Sequence, residues 1–86
     1  MEPNAVLKMM KRYFEGRQPE EVLASFETTS PRSLLTESLD VVDFIVYLEE
    51  ELGREIDIQK LGQALFHMNF EQLAGEVSRL LAADSL

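Results

Sequence analysis

Few side chains in this sequence could do chemistry. There is no cysteine, which removes disulfides, thiolate metal ligands and cysteine nucleophiles together. The single histidine, His67, has Glu71 as its only local carboxylate. One His and one Glu do not make a metal site or a hydrolytic triad, both of which need several converging groups. Neither a glycine-rich phosphate loop nor a calcium loop of Asp-x-Asp-x-Asp-Gly type occurs. The chain is therefore not expected to be an enzyme. What remains is Ser38, in Thr36-Glu37-Ser38-Leu39-Asp40 at the head of an acidic, apolar-striped segment. Taken alone this serine reads as a helix N-cap, because its hydroxyl can accept a hydrogen bond from an orphan N–H of the first turn. Acids near that end are favoured by the helix dipole.

The elements that must position Ser38 are all helical. Three segments keep the 3.6-residue period and none alternates with period two for long enough to make a strand. A first helix is expected after Pro3 and Asn4, running to Phe14 with Val6, Met10, Tyr13 and Phe14 on one face, and Gly16 as its stop. From Gly16 to Glu37, Pro19, Pro31 and the Thr28-Thr29-Ser30-Pro31 cluster mark a long connection with short helical turns around Glu20 to Ala24. Phe26 and Leu34 are its expected anchors in the core. The second helix begins at Ser38 or one residue earlier and ends near Gly53, with Val41, Phe44, Ile45, Leu48 and Leu52 as its core stripe. At 100° per residue, Leu39, Val42, Asp43, Val46 and Glu50 then face the other way. Asp57 caps a short third helix, about Ile58 to Phe66, with Gly62 inside it. Asn69 and Gln72 resemble a capping box, and Phe70, Leu73, Ala74, Val77, Leu80 and Leu81 keep helical spacing to the end of the chain.

Composition bounds the reading further. Eighty-six residues with 45% hydrophobic content can fill one small core, so a single domain over residues 1–86 without a deep enclosed site is expected. The longest unbroken apolar run, Phe44 to Leu48, is far short of the roughly 20 residues that a membrane span needs. No apolar h-region follows a basic start, so a soluble, cytoplasmic monomer is expected. The net charge of −8 argues against a nucleic-acid partner, because phosphate contacts need clustered Lys and Arg. Nearly all of it is local: residues 37–57 hold eight acids and one base, whereas residues 1–36 are neutral and residues 58–86 carry −1. Such a segment is a solvated acidic face or a docking surface for basic partners.

The stretch Glu37-Ser38-Leu39-Asp40-Val41-Val42-Asp43-Phe44-Ile45-Val46-Tyr47-Leu48-Glu49-Glu50-Glu51-Leu52-Gly53-Arg54-Glu55-Ile56 resembles the second helix of acyl carrier proteins. That family's pattern runs Asp-Ser-Leu-Asp, an apolar and acidic helix, a Glu-Glu-Glu-aromatic end and a Glu-Ile close. Gln18-Pro19-Glu20-Glu21-Val22 and Ala24-Ser25-Phe26 are similar to the family's first loop, and the outer helices suit its four-helix layout. The resemblance implies an all-α bundle of acyl-carrier type with a long first loop and a short third helix. It also implies 4′-phosphopantetheine attached to Ser38, carrying an acyl group as a thioester for fatty-acid or related lipid or secondary-metabolite biosynthesis. The reactive sulfur would then come with the prosthetic group, in keeping with a chain that lacks cysteine.

By the same resemblance, the second helix is the surface read by the phosphopantetheinyl transferase and by acyl-processing enzymes with basic docking patches. Leu39, Val42 and Val46 would supply apolar contact, and Glu37, Asp40, Asp43, Glu49 and Glu50 the charge. Two positions depart from the pattern: Leu35 stands where the family has Gly, and Glu37 where it has Asp. With a first loop longer around Glu27 to Pro31 and a longer segment from Asp57 to Asn69, they suggest a specialised carrier. An aminoacyl, peptidyl or polyketide carrier shares the serine and the fold. An unmodified adaptor that keeps the carrier fold as a docking module is the alternative from another class.

Overall fold

Proline at the first helical position needs no N–H donor and arrives with a helical φ, so Pro3 starts a helix directly after the extended Glu2. The structure is a computed structural model that describes residues 2–84. This first helix, α1 (Pro3–Phe14), buries Val6, Met10 and Phe14 at intervals of four and keeps Tyr13 half-buried beside them. It ends because Gly16 takes φ 82°, a left-handed conformation that only glycine adopts at little cost. The Arg17 and Gln18 N–H groups then donate to the Phe14 carbonyl at 2.9 and 3.0 Å.

The connection that follows is more ordered than its composition suggests. Helix α2 (Glu20–Ala24) forms where short helical turns are expected, and a single 3₁₀ turn covers Phe26–Thr28. A further helix, α3 (Pro31–Leu34), forms where the sequence reads as open connection. Four residues are too few to show a helical period, and Pro31 starts this helix as Pro3 starts α1. Phe26 is buried and Leu34, half-buried, packs against the core, as expected, while Leu35 beside it is buried more deeply and was not anticipated. The Leu35 N–H closes the α3 turn on the Pro31 carbonyl at 2.8 Å, and its side chain enters the core from there.

Three longer helices complete the chain: α4 (Ser38–Leu52), α5 (Ile58–His67) and α6 (Phe70–Asp84). Gly53, at φ 67°, ends α4 by donating its N–H to the Glu49 carbonyl at 2.8 Å. Asp57 caps α5, its Oδ1 accepting from the Gln59 and Lys60 N–H groups at 3.0 and 3.3 Å. Helix α5 runs one residue past the expected Phe66. Asn69 and Gln72 form a reciprocal capping box at 2.8 and 3.0 Å. Helix α6 continues to Asp84, and the last two residues lie outside those described. Among the described residues there is no strand, and no helix is long and apolar enough to cross a membrane.

Four of the five phenylalanines meet in the core. Phe26 and Phe70 stack with centroids 4.1 Å apart, and Phe14 lies 5.4–5.7 Å from Phe26, Phe44 and Phe70. Such pairs contribute about 0.5–1.5 kcal/mol each beyond the area they bury. They join α1, α4, α6 and the 3₁₀ turn at one point. Two backbone acceptors add to this: the Thr29 carbonyl takes the Phe70 N–H at 3.0 Å, and the Met9 carbonyl takes the Tyr47 hydroxyl at 3.1 Å. With α4 pinned by Phe44, Ile45 and Leu48, each fully buried, its remaining faces are set.

Candidate functional site: Ser38 and the outer face of helix α4

The residue that caps α4 is Glu37 and not Ser38. Glu37 is extended, with φ −117° and ψ 154°, and its N–H donates to Asp40 Oδ2 at 3.3 Å, one half of a capping box closed by acids. Ser38 is the first residue inside the helix, where its hydroxyl cannot reach back to the orphan N–H groups as a cap would. The Ser38 side chain is exposed and makes no hydrogen bond among the described residues. The N-cap role expected from serine's preference thus falls to its neighbour, and the hydroxyl is left free for chemistry. The N–H groups of the first turn and the helix dipole favour an anion beside it.

Ser38 opens onto a cleft of about 200 Å³ between α3, α4 and α5. Pro31, Leu35 and Val41 form one part of its lining, and Gly62, Leu65 and Phe66 of α5 another. The polar groups there belong to Arg32, Thr36, Glu37 and Ser38. A small apolar recess with a few polar groups at one edge suits an aliphatic ligand with a polar end. Gly62 and Phe66 are four residues apart on α5 and so share a face. Phe66, the fifth phenylalanine, is 61% exposed, and the Arg32 guanidinium carbon lies 5.4 Å from its ring centroid.

On α4 the apolar residues opposite the core stripe are where the 100° rotation puts them. Leu39 is 73% exposed, Val42 48% and Val46 44%. Glu37, Asp43 and Glu50 are exposed around them, and Asp40 is half-buried with its carboxylate on the Glu37 N–H. Glu49 differs from these. It is half-buried, and its Oε2 accepts the Ile56 N–H at 2.8 Å, which ties the turn after Gly53 back onto α4. Its carboxylate is engaged in the fold, whereas that of its neighbour Glu50 is presented to solvent.

The sequence reading missed Arg32, Gly62, Leu65 and Phe66 as neighbours of Ser38. Phe66 carried a signal, since a large aromatic off the Leu61, Ala64 and Leu65 stripe has no place in the core. Arg32 carried none, because α3 is itself invisible in the pattern. His67 ends α5, exposed, and among the described residues no three His, Asp or Glu side chains group as metal ligands. Compared with protein-family models, curated proteins and solved structures, the chain matches none.

Proposed function

We propose that the protein is a specialised acyl carrier of the bundle type its sequence resembles, with 4′-phosphopantetheine attached through the Ser38 oxygen. The observation that carries this reading is an exposed, unbonded serine hydroxyl at the start of a helix whose outer face is both acidic and apolar. The residues around Ser38 fit the group: the hydroxyl is accessible, the helix start favours a phosphodiester, and the adjoining cleft offers apolar shelter. When attached, the arm supplies a thiol that holds an acyl group as a thioester.

The chain's own residues position and present. Glu37 and Asp40 cap α4 and set the direction of Ser38. Leu39, Val42 and Val46 offer apolar contact to partner enzymes, and Asp43 and Glu50 steer basic patches toward it, favouring fast and reversible encounters over tight complexes. Catalysis belongs to those partners.

The test is the intact mass of protein expressed beside a broad-specificity phosphopantetheinyl transferase, with and without Ser38→Ala. We expect the mass to rise by one phosphopantetheinyl group and the gain to vanish in the variant. Modification that persists in Ser38→Ala, or that maps to Ser30 or Ser33, would move the site. No modification with several transferases would leave an unmodified docking module.

A further inference from the structure

Attachment at Ser38 would add an anion to the most acidic part of the molecule. Glu37, Asp40 and Asp43 lie in or beside the first two turns of α4, and the only base between Glu37 and Asp57 is Arg54, past the other end of the helix. The dipole of α4 favours a phosphate at this end, and the three carboxylates work against it. A stable phosphodiester here calls for a nearby cation.

We infer that Arg32 is that cation, the counter-ion of the phosphodiester on Ser38; the inference rests on the carrier reading above. Among the described residues, Arg32 is the only base lining the cleft onto which Ser38 opens. It is not consumed elsewhere, since it enters no ion pair with a described residue although Glu37 lines the same cleft. Its guanidinium is placed over the Phe66 ring at 5.4 Å, a contact that restrains the flexible side chain. An aromatic contact through the guanidinium's π face leaves the in-plane N–H groups available, and these match a phosphate's oxygens as a fork. Pro31 begins the four-residue α3 immediately before it and holds the backbone from which it reaches. This also accounts for an exposed phenylalanine on α5: Phe66 is the platform that keeps Arg32 at the cleft. Arg32 acts here as a positioning residue, drawing the start of the arm toward the cleft.

The experiment compares apo and loaded protein for wild type, Arg32→Gln, Arg32→Lys and the charge-matched control Lys8→Gln on the exposed side of α1. Loading is verified by intact mass in each. We expect the Arg32 Nε–H resonance to move on loading. We also expect the change in melting temperature on loading to be less favourable by about 4 °C in Arg32→Gln than in wild type at low salt. Arg32→Lys should recover part of this difference, and Lys8→Gln should match wild type. Loading that leaves the Arg32 resonance in place, with Arg32→Gln and Lys8→Gln responding alike, overturns the counter-ion and leaves the carrier reading intact. No mass gain in wild type overturns the carrier reading itself, and the counter-ion with it.

Discussion

Glu49 and Glu50 are adjacent in sequence and differ in what they do. The first spends its carboxylate on the Ile56 N–H, and the second stands in solvent beside Val46. The same division separates Phe44, fully buried, from Val46, 44% exposed two residues later. A charge at the rim of an interface acts mainly on association rate, and surface substitutions away from caps and cores usually change stability by less than about 0.5 kcal/mol. Glu50→Lys and Val46→Asp should therefore slow loading of Ser38 by a transferase several-fold at low salt while the melting temperature stays nearly constant. Rates equal to wild type in both variants, with circular dichroism showing folded protein, would mean that partners read another face.

At the scale of elements, the fixed relation of α4 to α1 is what keeps that outer face outward. Tyr47 bridges them, its ring 5.1 Å from Tyr13 and its hydroxyl donating to the Met9 carbonyl. Burial raises the Tyr47 pKa above its ordinary value of 10.0, Glu51 and Glu15 add to the shift, and Arg12 opposes it. The folded state thus holds this proton more tightly than the unfolded chain. Its contribution is fully present below about pH 10 and is lost as pH rises through the folded value. Tyr47→Phe removes the donor while keeping the ring, and should cost about 1 kcal/mol at neutral pH. The difference between wild type and Tyr47→Phe should narrow above pH 10 in urea titrations. A difference that holds constant or widens there would show that the hydroxyl is not what joins the two helices.

For the whole molecule, the charge distribution sets the conditions under which it is most stable. Lys8, Lys11 and Arg12 on α1 enter no ion pair with the acids of α4 among the described residues; on α6, Arg79 pairs with the half-buried Glu76. Asp40 and Asp43 are three residues apart on one helix, and Glu49 to Glu51 crowd its other end. Repulsion of this kind costs roughly 0.2–0.5 kcal/mol per close pair at low ionic strength, for a total on the order of 0.5–1 kcal/mol. At about 0.15 M salt the Debye length is about 8 Å and much of this penalty is screened. The melting temperature should then rise by roughly 2–8 °C between dilute buffer and 0.15 M sodium chloride at neutral pH. A flat or falling melting temperature would show that the acids are compensated within the fold.

The four longer helices, their start and stop signals and the faces of α4 could be read from the residues alone. Periodicity, Pro3, Gly53, Asp57 and the Asn69–Gln72 pair are local signals, and they act through the chain's own backbone. Leu39, Val42 and Val46 were legible as exposed for the same reason, since rotation along one helix needs no neighbour. The surroundings of Ser38 were not. Glu37 took the cap because the backbone becomes helical one residue earlier than a serine cap requires, and sequence reasoning places helix ends only to within a few residues. The cleft joins Arg32, Ser38 and Phe66, which sit on three different helices. No periodicity relates residues on separate elements, so only the packing of the helices around the phenylalanine core could decide that they meet.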